Sequence, residues 1–171
     1  MKWKGKLVDH IFEEIKKDPE WQKTSERILI DSNIGVHLAV FNEPFLALIY
    51  KGEKNIESRF SINQVAPFMK VAKGDIVILK ASGGPVTGLF LAGEIVFFSN
   101  VNKTILKEME KKYGKKICSH YDSNFWSARE VTKYATLIEV GKIKALTPFK
   151  IEKKDRTAWS ILRQSQSNLL L

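Results

Sequence analysis

Along residues 5–17 the apolar side chains Leu7, Val8, Ile11, Phe12 and Ile15 recur every three to four positions, the period of one helix face. Asp18-Pro19 interrupts that helix, because a residue before proline is pushed out of helical backbone. A second helix follows toward Leu29, and the turn-forming run DSNIG at 31–35 ends it. The pattern then changes. VHLAVF reads as a strand, and Asn42-Glu43-Pro44 offers a helix start that carries Phe45, Leu46, Leu48 and Ile49 inward. That helix ends at Gly52, a residue suited to a left-handed C-terminal position. Residues 55–61 alternate as a strand, 61–75 form a long loop ending in a Gly-Asp turn, and 76–82 form a strong strand followed by a turn at Gly83-Gly84-Pro85. Residues 86–99 make a long strand whose Gly88 and Gly93 mark bulges or sharp bends. A charged helix is predicted over 102–113 and a second over 122–134, with Asp122 or Ser123 as its cap. Residues 135–151 return to strand, and 153–164 predict a last short helix that Trp159 packs against the sheet. Strands with irregularly inserted helices imply an α+β fold, a small mixed β-barrel bent at its glycines, and not a doubly wound sheet. The expected division is a helical extension over 1–36 and a barrel domain over 37–171.

The strand at 55–61 raises the chemical question. Side chains alternate across a strand, so Asn55, Glu57, Arg59 and Ser61 share a polar face while Ile56, Ser58 and Phe60 share the other. Lys54 stands at the helix-to-strand junction beside them. A polar face like this is either a solvated edge with a weak ion pair or the wall of a site where the charges must compensate each other. Pattern alone favours the solvated edge.

Composition narrows the alternatives. The chain has 171 residues, 28 basic and 19 acidic, for a formal charge of +9, which favours polyanionic partners. Its one cysteine, Cys118, excludes an internal disulfide, and its three histidines are too scattered for zinc. No metal or other cofactor is expected. No secretory leader and no membrane-spanning apolar run stand out, so a cytoplasmic protein without membrane contact is expected. Two further stretches are candidates. In the glycine-rich 79–88 segment Lys80 and Ser82 could support an anion, although a plain hairpin turn explains the glycines as well. In 119–129, Phe125 and Trp126 could stack on a splayed base, or pack as core at helical spacing with Val131 and Tyr134, leaving Arg129 as a rim cation.

The stretch GEKNIESRF resembles the G-x-K-x-x-E-x-R signature of the ASCH domain family in the PUA-like superfamily, with Gly52, Lys54, Glu57 and Arg59 at its four positions. EPFLALIYKG before it, KGDIVILK after it and KYATLIEV near the end resemble the family's flanking elements, so the likeness spans roughly residues 37–160. It implies a PUA-like barrel with a cleft lined by the signature, and binding of RNA or a modified nucleotide through Lys54, Glu57, Arg59, Ser61, Lys80, Ser82, Trp126 and Arg129. One bacterial branch of the family hydrolyses the acetamide of acetylcytidine with the signature lysine, a threonine and a glutamate. Lys54 matches that lysine, and Glu57 stands where the threonine would be. A binding module is therefore expected over an amidohydrolase, in which Lys54 and Glu57 would be catalytic. A protein-interaction role for the helices within residues 5–30 is the third class.

Overall fold

The computed structural model describes residues 2–30 and 33–165, apart from the side chains of 28–30. The elements are α1 (Lys2–Lys16), α2 (Gln22–Ile30), β1 (Val36–Phe41), α3 (Phe45–Tyr50), β2 (Ile56–Ser61), β3 (Ile76–Ala81), β4 (Val86–Phe98), α4 (Lys103–Ile117), β5 (Tyr134–Phe149) and β6 (Trp159–Arg163). The turn-rich run expected at 31–35 lies partly outside the described residues. The six strands form one curled sheet, a half-barrel in the order β2-β5-β4-β3-β1-β6. Only β1 and β3 run parallel; every other neighbouring pair is antiparallel.

Strand periodicity explains why both faces of β1 and β3 are apolar. Val36, Leu38, Ile76 and Ile78 point to one face, where Leu7, Ile11 and Ile15 of α1 and then Trp21 cover them. Ala39, Phe41, Val77 and Leu79 point into the curl, against Leu46 and Ile49 of α3, Phe90 and Trp159. A third cluster seats Leu106, Met109 and Ile117 of α4 on Ile56, Leu137 and Phe125. The curl depends on bulges near the two expected glycines. Register shifts fall between Val86 and Gly88 and between Ala92 and Ile95. A Cβ on Gly88 would lie 2.4 Å from both the Lys144 carbonyl oxygen and the Tyr50 hydroxyl, a distance that forbids any side chain. Gly52 has φ +74°, the left-handed end of α3 that the sequence implies.

Two expected helices are absent. Residues 159–163 form β6, which pairs antiparallel with β1. The open edge of β1 needs backbone partners, and this requirement outweighs local helical spacing. Residues 122–134 form only a short 3-10 turn at Ser127–Arg129. Asp122 Oδ1 accepts from the Asn124 amide and Ser127 Oγ donates to the Asn124 carbonyl, local bonds that compete with a helical ladder. The helix expected over 102–113 runs on to Ile117, capped by Asn102, whose side chain accepts from the Ile105 amide.

Candidate functional site

The polar face of β2 is not solvated. Lys54, Glu57 and Arg59 are packed into the wall of a cavity of about 560 Å³ that opens to solvent beside the free edge of β2. Their side chains are only 3%, 6% and 16% exposed, which rules out a surface ion pair. Glu57 links the two cations. Its Oε1 accepts from Arg59 Nε at 2.6 Å and its Oε2 lies 3.4 Å from Lys54 Nζ.

Lys54 donates to two main-chain carbonyls as well, Ile56 at 2.8 Å and Ile117 at 3.0 Å. Burial pushes its pKa below the ordinary lysine value, and the Glu57 carboxylate opposes that shift. Three acceptors surround one nitrogen, an arrangement that fits an ammonium with three hydrogens and leaves no direction for an amine lone pair. The carbonyl of Ile117 is available because α4 ends there. Cys118 takes a left-handed backbone (φ 64°), its thiol is buried, and that burial raises its pKa.

Arg59 fastens the open side of the half-barrel. From β2 it donates through Nη2 to the Val40 carbonyl of β1 at 2.9 Å and through Nη1 to the Ala158 carbonyl just before β6 at 3.2 Å. Its guanidinium lies over the rings of Phe41 (4.9 Å) and Trp159 (5.4 Å). Trp159 is itself fixed: its indole N–H donates to His37 Nδ1 at 3.2 Å, so the other ring nitrogen carries the hydrogen and donates to Asp75 Oδ2 at 3.0 Å. Asp75 also accepts from the Gly35 and Ala72 amides.

The cavity's other walls are aromatic and polar: Phe41, Phe45, Phe60 and Phe125, with Asn42, Ser58, Ser61, Asp122 and Arg129. Arg129 lies over the Phe125 ring at 3.6 Å and donates to the Phe125 carbonyl at 2.6 Å. Its Nε–H is buried and has no partner among the described residues. Burial lowers the Arg129 pKa, and Asp122 and Glu57 oppose that shift. With Lys54, Arg59 and Arg129 against Glu57 and Asp122, three cations face two carboxylates, so the lining carries one net positive charge.

Five of the eight residues singled out from sequence therefore meet or flank one cavity: Lys54, Glu57, Arg59, Ser61 and Arg129. Trp126 stands behind the wall, edge-on to Phe60 and Phe125, with its indole N–H unpaired among the described residues. Lys80 and Ser82 lie on the β3–β4 hairpin and do not line the cavity; Lys80 donates to the Ala81 carbonyl and the Ser82 amide to the Phe41 carbonyl. Asn55 falls outside the cavity, before β2 begins. Sequence reasoning missed Phe41 and Asn42, which reach the site where Arg59 bridges β2 to the end of β1, and Phe45, which α3 supplies. Among the described residues no cluster of three or more His, Cys, Asp or Glu is placed to hold a metal ion, and no helix is long and apolar enough to cross a membrane.

No protein-family model matches the chain. No curated protein matches it either. Among solved structures, ASCH from Zymomonas mobilis superposes with a TM-score of 0.59 at 16% sequence identity, covering 82% of this chain and 95% of that one. A substitution variant of the same protein gives a TM-score of 0.59 at 16% identity, covering 81% of this chain and 95% of that one. The likeness is one of fold: the chain shares the half-barrel fold of the Zymomonas mobilis ASCH structure.

Proposed function

We propose that this ASCH-fold chain binds RNA by taking one unpaired or modified nucleotide into the cavity beside β2. The observation that carries this reading is one open cavity combining aromatic walls, one net positive charge and an arginine, Arg129, whose one hydrogen bond among the described residues leaves donors over. Flat apolar walls accept a base face, and a few fixed polar groups read its edge. Lys54 and most of the Arg59 fork are already engaged within the protein, so they shape and charge the wall. Arg129 has hydrogen-bonding capacity left over, and Asp122 opposite sign to it, so these two are the reading groups. The formal charge of +9 adds affinity for phosphate beyond the cavity.

The test is recovery of nucleic acid bound to the protein in cells, followed by affinity measurements on what is recovered. Arg129→Met keeps a side chain over Phe125 and removes the charged donor. A charge-assisted hydrogen bond contributes about 1.5–3 kcal/mol, so affinity should fall roughly tenfold or more. Absence of any enriched RNA, or equal affinity in the variant, would overturn the assignment.

A second reading, hydrolysis of a modified nucleoside at Lys54, draws support from the lysine's lowered pKa inside the cavity. Its three acceptors hold it as an ammonium, and Glu57 offers no hydroxyl nucleophile. Incubation with acetylcytidine should release cytidine far below typical turnover of roughly 1 per second. Faster release that vanishes in Lys54→Ala would make this reading the leading one. The interaction role for residues 5–30 has less support: among the described side chains of residues 2–27, no large apolar group is exposed.

A further inference from the structure

A second hollow of about 360 Å³ lies on the other side of Arg59, walled by Val65, Pro67, Phe68, Thr136 and Trp159. It shares Arg59, Phe60, Ser61 and Ala158 with the first cavity, so the two adjoin along these residues. Phe41, which lines the first hollow, and Trp159, which lines the second, both hold the Arg59 guanidinium against their rings. The guanidinium has five N–H groups, and its bonds to Glu57, Val40 and Ala158 use three of them. A cationic ridge with hydrogens to spare thus stands between two ring-lined hollows.

We propose that the second hollow is a nucleotide subsite, and that the ligand is two adjacent unpaired nucleotides of single-stranded RNA with their linking phosphate over Arg59. This rests on the reading of the first cavity given above. The chemistry of the second hollow suits a base with little edge recognition. Phe68 is held edge-on by Phe97 at 5.6 Å and tilted against Tyr134 at 4.9 Å, giving a fixed aromatic wall. Val65 on the same wall is 53% exposed, apolar surface that a stacked base would cover. Guanidinium geometry matches a phosphate's paired oxygens, and Arg59 cannot swing away to meet one elsewhere because Glu57 and the Val40 and Ala158 carbonyls hold it.

The test compares 5′-phosphorylated RNA dinucleotides with the matching ribonucleoside 5′-monophosphates by titration calorimetry. A base stacked on an aromatic side chain strengthens binding about 5- to 150-fold, so the best dinucleotide should exceed the best mononucleotide by that factor. Phe68→Ala, which removes only the ring, and Val65→Glu, at a solvent-facing position that leaves folding intact, should both erase the gain. Neither should change mononucleotide affinity. Mononucleotide binding with no dinucleotide gain, or a gain that survives both variants, overturns the second subsite and leaves the first cavity's role standing. Failure of every mononucleotide and dinucleotide to bind overturns both.

Discussion

Glu57 sits between two buried cations, and its carboxylate is the only anion in contact with either of them among the described residues. Replacing it by glutamine keeps the shape and removes the charge. Lys54 and Arg59 would then face each other uncompensated in a region where water cannot screen them. Breaking a buried pair in this way costs about 3–5 kcal/mol, and urea unfolding of Glu57→Gln should show a loss of that size; a change within about 0.5 kcal/mol would mean the triad is effectively solvated. Lys54 itself adds a pH dependence whose sign is fixed. Its folded pKa lies below the ordinary value, chiefly through burial. Between the two values the native protein has released a proton that the unfolded chain still holds, so stability rises with pH across that window. The stability of the parent relative to Lys54→Met should therefore climb as pH approaches about 10.4, the ordinary lysine value. A difference that stays flat or declines across unfolding curves from neutral to alkaline pH would contradict the burial argument.

Among the elements, β6 is the one whose sequence misleads and whose position matters most to the site. It brings Trp159 onto His37 and Arg59, joining the last strand to the first. Trp159→Phe keeps a ring near Arg59 but removes the indole N–H, leaving His37 Nδ1 buried without a donor. The expected cost is about 1–3 kcal/mol, read from the denaturant midpoint, with the melting transition remaining cooperative; no loss at all would show that the bond is not formed in solution. β1 and β3 were legible as apolar runs because both their faces are buried, and the bend of β4 at Gly88 was legible because only glycine fits there. Glu57 and Arg59 were legible as a shared face because strand alternation is local, with Lys54 beside them at the helix-to-strand junction. Their burial was not, since it depends on α4 ending at Ile117 and on β1 and β6 closing over them from distant parts of the chain. The same non-local geometry hid Phe41 and Asn42. The segment 122–134 has helical spacing, yet its polar side chains bond their own backbone and hold it as turns over Phe60.

For the molecule as a whole, the N-terminal helices and the cavity sit on opposite sides of one sheet. α1 and Trp21 cover the face of β1 and β3 turned away from the curl, so the N-terminal helices support the strands that carry the site without reaching it. The excess of basic over acidic residues, 28 against 19, acts at this scale too. Each phosphate contacted in single-stranded RNA contributes about −0.7 to the slope of log affinity against log salt. Three contacts would weaken binding roughly twentyfold between about 50 and 200 mM salt. A salt-independent affinity would point instead to a neutral small ligand.

Cys118 turns the lysine's cradle into something that can be timed. It is the single thiol of the chain, buried at the end of α4 next to the carbonyl that Lys54 holds. A thiol-reactive dye reaches it only when that end of the helix lifts, and the same movement takes the Ile117 carbonyl away from Lys54. The labelling rate in native buffer is therefore a clock for local opening at the cavity's inner wall. RNA that fills the cavity should slow the clock, and Glu57→Gln should quicken it, with no cysteine having to be introduced.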